Sequence, residues 1–418
     1  MSVQLRSCIW KGGAGMKITR SKCESLGYVG LQYLILVLLM GATSFAMAGP
    51  REQAKRMHDR LVGVPPSDTV LNSMSAKISG GDAVGAATEA MSNSTFYNTT
   101  LKNFITPWTN ETQSPYADLN DYTATVIGMI RDDVPFNQLL TEDIVYVAGG
   151  AAQITAPYSQ TNNDHYKELE SKRINLADPA NLIRGTQSSQ PGATLTPLNI
   201  AGVMTTRAFG EAFLNMGTNR RAIRYTLMTQ MCRDLEDVHE VTRTPDRIRQ
   251  DVSRSPGGDS TIFLNQCVGC HSGMDPLAQA FAYYDFKEVV ANTGEQIVMT
   301  PGEVQAKNLI NSNNFPLGYI VKNDLWNNYW RQGPNASLGW NSGLPGGGNG
   351  IKSLGLELAS SQAFSQCQVQ KAFKFTCLRN PASPTDQSEI QRITGVFEKN
   401  NFSMKRVFAE VAAYCKGD

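Results

Sequence analysis

Residues 267–271 read Cys-Val-Gly-Cys-His, and this short run constrains the surrounding fold more than any other in the chain. Thiols three positions apart, followed at once by an imidazole, fall on one side of a single helical turn. That is the attachment spacing of a c-type haem. Each thiol can add to one porphyrin vinyl group, and the histidine then meets the iron from the proximal side. Neutral imidazole is a good iron ligand, and its second nitrogen can be held by a backbone carbonyl. The expected cofactor is one covalent haem c, with Cys267 and Cys270 forming the thioether bonds and His271 ligating the iron. Three other readings compete, one of them buried free thiols, which are not expected to stay reduced in an exported protein. A zinc site needs a second ligand pair of similar spacing, and the sequence has no other C-x-x-C. A redox dithiol needs a preceding strand and a βαβ frame, which the pattern does not offer.

The N-terminal residues place the motif in a compartment. Lys17, Arg20 and Lys22 form a basic region, residues 26–39 an apolar one, and Ala46-Met47-Ala48 a small-residue cleavage site before Gly49-Pro50. Residues 1–48 are therefore expected to be a secretory signal peptide, with Met16 as an alternative start. The mature protein is expected to be periplasmic or extracellular, with no membrane association after cleavage. An uncleaved anchor is the competing reading, and the apolar run is borderline in length for it.

Export also permits disulfides. Of eight cysteines, Cys8 and Cys23 leave with the signal and two belong to the motif. Cys232, Cys367, Cys377 and Cys415 remain. Cys367 and Cys377 read as one helix, where ten residues rise about 15 Å, beyond the ~7 Å Cα separation a bridge allows. Cys232 should pair with one of them and Cys415 with the other, Cys377–Cys415 being preferred.

With a net charge of +1 over 418 residues, neither nucleic acid nor an anionic membrane is indicated as a partner. The partner implied is a redox protein. The length allows two or three domains. The expected fold is mainly α: a multi-helix protein with a cytochrome c-like haem region, a C-terminal helical bundle and long irregular loops. Its expected segments are an N-terminal helical region (49–150), an irregular connection (151–200), the haem region (201–311), a loop rich in Gly, Asn and Trp (312–350) and the C-terminal helices (351–418).

Within that frame, apolar spacing predicts helices over 52–61, from Ser67-Asp68 onward, over 121–130 and over 136–140, with a short strand at 144–147. Thr205–Met216 reads as helical. Thr218 or Asn219 caps a longer helix with Ile223, Leu227, Met231, Leu235 and Val238 on one face. Arg220, Arg221 and Arg224 at its start are either donors to haem propionates or a solvated basic face. Ser260 or Thr261 opens the motif helix, which Ser272-Gly273 should stop. Asp275-Pro276 should then cap a new one, with Leu277, Phe281, Tyr284 and Phe286 forming an apolar face for a haem edge or for the core. Trp326, Tyr329, Trp330 and Trp340 mark a binding surface or a lid. Val369, Phe373 and Cys377 share a face, residues 381–384 break the chain, and Ser403 caps the last helix.

From Cys267 to Phe286 the text C-x-x-C-H-S-G-M-D-P-L-A-Q-A-F-A-Y-Y-D-F resembles the haem-bearing modules of the large exported cytochromes of planctomycete type. In those modules the motif is followed by M-D-P-L-G-F-A and an Asp. The similarity extends to 134–143, to 202–232 and to the C-x-V-x-K-x-F run from Cys367. It departs after position 274, where Ala-Gln-Ala stands in place of Gly-Phe-Ala. The resemblance implies an exported, mainly helical protein with covalent haem, and it supplies no substrate.

An electron-transfer haem usually has a sixth ligand. Met299 has enough chain before it to come round to the distal face and is the expected candidate. Met274, Met404 and His239 are alternatives, and His58 is a weaker one. The expected function is single-electron transfer by an exported mono-haem cytochrome-like protein. The alternatives are a haem-dependent oxidoreductase or peroxidase with an open sixth site, and a partner-binding helical protein that uses haem as a folding staple.

Overall fold

A computed structural model describes residues 48–249, 252, 260–310 and 318–417. The expected signal segment, Met16, Cys8 and Cys23 included, lies outside the described residues save for Ala48. The chain is mainly α, with 54% helix and 7% strand. Among the described residues no helix is long and apolar enough to cross a membrane.

The N-terminal helices are α1 (Pro50–Val62), α2 (Asp68–Ser79) and α3 (Ala83–Ala90). Ser67 caps α2 by accepting the Val70 amide, as its position before the apolar run predicts. The C-terminal helices are α8 (Gly350–Ala359), α9 (Gln362–Cys377), α10 (Pro384–Lys399) and α11 (Met404–Tyr414). Ser403 caps α11, and Ser383 with Asp386 forms a capping box on α10. These two sets pack together. α11 lies against α1 and α3, and the Arg60 guanidinium donates to the Cys415 carbonyl at 2.7 Å. Through the middle runs α4 (Asp121–Arg131), all of whose residues are buried. Pro50–Gly417 thus form one packed unit.

Among the described residues three small antiparallel pairs stitch the loops: β1 (Val145–Ala148) with β2 (Leu182–Gly185), β3 (Tyr284–Glu288) with β4 (Glu295–Met299), and β5 (Leu325–Asn327) with β6 (Gly347–Asn349). The stretch expected to be irregular, 151–200, therefore contains β2 and also helix α5 (Asp164–Ser171), which buries His165, Tyr166 and Leu169.

Helix α6 (Arg220–Thr226) continues through a wide turn to Met231 and ends where Cys232 adopts a left-handed conformation, φ 52°. Leu235 and Val238, expected on that helix, lie beyond it. Both disulfides form as the cysteine geometry requires. Cys232–Cys367 has Cα atoms 5.2 Å apart, and Cys377–Cys415 has them 5.5 Å apart.

Candidate haem-attachment site

The motif sits on helix α7 (Val268–Ala278), which continues directly from a wide i→i+5 turn over Phe263–Cys267. Such turns recur at functional positions in helices. The expected stop at Ser272-Gly273 is absent: α7 runs through it and contains Pro276, so Asp275 is no N-cap. The reason lies in the packing. The Trp330 indole rests on Gly273 so closely that a Cβ there would stand 2.0 Å from Nε1. Glycine is required for that approach, not for a turn.

Opposite sides of the first turn of α7 differ sharply. Val268, Gly269 and Ser272 are buried, whereas Cys267, Cys270 and His271 are each partly exposed. Both thiols are free. On the turn before, Leu264 is 60% exposed, an apolar side chain left in the open beside the thiols. The back of the helix is held by a strap that leaves Cys232. Glu240 N donates to the Gly269 carbonyl at 2.9 Å, and Ser272 Oγ donates to the Glu240 carbonyl at 3.0 Å. His239 lies over Gly269, with its Nε2 2.0 Å from where a Cβ would be. Residue 269 points away from the side that carries 267, 270 and 271, so His239 stands behind the motif.

His271 is oriented from within its own helix. Its Nδ1 lies 3.0 Å from Asp275 Oδ1, one turn on. The Asp275 side chain is fully buried, and Arg220 grips it with two bonds, Nε to Oδ1 at 2.7 Å and Nη2 to Oδ2 at 2.8 Å. The Arg249 amide adds a third donor at 3.2 Å. Burial alone would raise the carboxyl's pKa, but the Arg220 guanidinium, with His271 beside it, holds it well below the usual range. Among the described residues His271 Nε2 has no hydrogen-bond partner, which leaves it as the nitrogen for a metal. The Asp275-Pro276 step predicts a cap. The i, i+4 spacing from His271 was the signal for its actual contact.

Burial, together with Glu236 and Asp234, pushes the Cys270 thiol up. A redox dithiol needs the opposite, an electropositive setting that lowers the pKa. Among the described residues no cluster of three or more His, Cys, Asp or Glu side chains could hold a metal ion. The donor set, two thiols free of disulfides and one oriented imidazole, fits covalent haem attachment.

Other candidates lie elsewhere. Arg220 is taken up by Asp275, Arg224 pairs with Asp234 at 2.6 Å, and Arg221 pairs with Glu111 at 2.6 Å. All three arginines are therefore ion-paired, Arg221 and Arg224 with partly exposed side chains. Leu277, Phe281 and Tyr284 are buried in the core. Phe281 stacks on Phe209 at 6.3 Å, and β3 begins at Tyr284, ending the expected helix. Trp326 and Trp330 are likewise core residues behind α7 and present no binding surface. Met299 closes β4 opposite Tyr284, and its sulfur accepts the Asn199 amide at 3.3 Å. Met404 is buried at the start of α11. Met274 is buried on α7 itself, and His58 is buried with Nδ1 2.9 Å from the Val64 carbonyl.

Comparison with protein-family models, with curated proteins and with solved structures returns no match.

Proposed function

We propose that this chain is an exported mono-haem, c-type cytochrome-like protein that transfers single electrons through a haem bonded to Cys267 and Cys270, with His271 as proximal ligand. The observation that carries the reading is the shared open side of α7. It presents two free thiols and an imidazole whose Nδ1 is already engaged, while the reverse side is packed. When bound, haem supplies one-electron chemistry at iron. The protein's residues bind it, orient the ligand and exclude water. The resemblance to planctomycete-type haem modules and the signal-like leader support the same reading, as do two disulfides, which fit an oxidising compartment.

Expression with a cytochrome maturation system, followed by a pyridine haemochrome spectrum and intact mass, tests it. A haem that survives acid–acetone extraction in the wild type and is lost in Cys267→Ser/Cys270→Ser is expected. A mature chain with no added mass overturns the reading.

A second reading, an open sixth site suited to peroxide or substrate oxidation, draws on one observation. Met299 is already engaged by Asn199, so acting as distal ligand requires it to exchange that contact. Met299→Leu separates the two. Loss of a methionine–iron charge-transfer band supports electron transfer, whereas carbon monoxide binding that is already rapid in the wild type supports the open site.

A further inference from the structure

We infer that Asp275 is a positioning residue for the iron ligand: it fixes His271 as the Nδ1–H tautomer and sets a full negative charge behind the imidazole, so that the ferric state is favoured. The inference rests on the reading of His271 as the proximal ligand and deepens it.

The geometry carries the argument. A helix places residues four apart on one side, and here the Nδ1–H donates to Asp275 Oδ1 at 3.0 Å. The acceptor cannot turn away, because Arg220 Nε shares Oδ1 at 2.7 Å while Arg220 Nη2 and the Arg249 amide occupy Oδ2 at 2.8 and 3.2 Å. Four donors on one buried carboxylate leave it little rotational freedom, and the imidazole inherits that rigidity. A backbone carbonyl in the same place would offer only a dipole, whereas a carboxylate offers net charge, and oxidised iron carries one more positive charge than reduced iron. Arg220 tempers the effect: a guanidinium that shares Oδ1 weakens the pull of the carboxylate on the Nδ1 proton.

A purely structural role, tying α7 to α6 through Arg220, would not need His271 at all and would leave the iron untouched. Two measurements distinguish the roles. In the haem-free wild-type chain labelled with ¹⁵N-histidine, above about pH 8 where imidazole is neutral, His271 should appear as the Nδ1–H tautomer; an Nε2–H signal overturns the proposal. In the haem-loaded protein, Asp275→Asn keeps an acceptor for Nδ1–H but removes the charge. The equilibrium constant for reduction should rise at least tenfold, a 59 mV upward shift for one electron. A variant that carries haem at an unchanged potential overturns the charge effect. If Asp275→Asn fails to accumulate, the tautomer decides alone. A wild-type chain that binds no haem overturns the reading of the motif, and with it the effect on iron, while the tautomer spectrum still reports separately whether Asp275 holds His271.

Discussion

At the scale of single residues, two glycines of the motif helix make contrasting demands. Gly269 and Gly273 each face an aromatic ring that a Cβ would overlap at 2.0 Å. Ordinarily Gly→Ala inside a helix gains up to about 1 kcal/mol. At Gly269 the ring belongs to His239, which is exposed and can swing aside. Gly269→Ala should therefore change stability by no more than about 0.5 kcal/mol. At Gly273 the ring belongs to Trp330, which is 0% exposed and has nowhere to go. Overpacking of that kind costs about 1–3 kcal/mol, so Gly273→Ala should be clearly destabilising. Urea denaturation of the pair checks the contrast, and equal effects would mean that Trp330 is not held as described. The same residues show what the sequence made legible. The thiol and imidazole spacing of 267–271 was readable because the chemistry is local. The use of Gly273 for close approach was not, because its cause is a tryptophan far along the chain.

At the scale of elements, periodicity and caps were enough where a helix stands on its own termini: Ser67, Ser403 and the Val369–Phe373–Cys377 face all behave as their spacing implies. They failed where tertiary contacts decide. α7 passes through Pro276, and Phe281 turns to the core because Phe209 meets it there. The α9–α10 junction gives a prediction in which sign matters. Asp386 accepts two bonds from Arg379, the Ser383 amide and the Tyr414 hydroxyl at 2.8 Å. The Arg379 bonds outweigh burial, which opposes them, and hold the Asp386 carboxyl well below its usual range. A depressed folded-state pKa means that the contribution is complete above the unfolded value of ~3.9 and is lost as pH falls below it. Asp386→Asn should lower stability at pH 7, with a cap contribution of about 1 kcal/mol, and should flatten the acid limb of the stability–pH profile. Thermal melts from pH 7 to pH 3 test this; an acid limb as steep as in the wild type would remove Asp386 from it.

For the molecule as a whole, the order of segments along the sequence is a poor guide to what packs with what. Residues 49–150 and 351–418 read as separate regions, yet α1 and α3 rest on α11, with Arg60 bonded to the Cys415 carbonyl. Only contacts between distant residues could reveal that. The motif helix is joined to this layer by a short covalent route: α7 packs on α6, α6 leads to Cys232, and Cys232 is bonded to Cys367 on α9. The bridge spans 135 residues of sequence, and closing a loop of that length in the unfolded chain corresponds to roughly 4–5 kcal/mol by the chain-entropy estimate. Because the Cys270 thiol also donates to the Leu235 carbonyl at 3.7 Å, the strap that starts at the disulfide is what covers the back of the motif. If the chain carries the proposed haem, denaturation followed at the Soret band and by far-ultraviolet circular dichroism should therefore give coincident transitions in the intact protein. In Cys232→Ser/Cys367→Ser the Soret transition should move to lower denaturant and separate from the helical one, which the Cys377–Cys415 bridge still supports. Transitions that stay coincident after the bridge is removed would show that packing between α6 and α7, without the covalent link, couples the motif to the bundle.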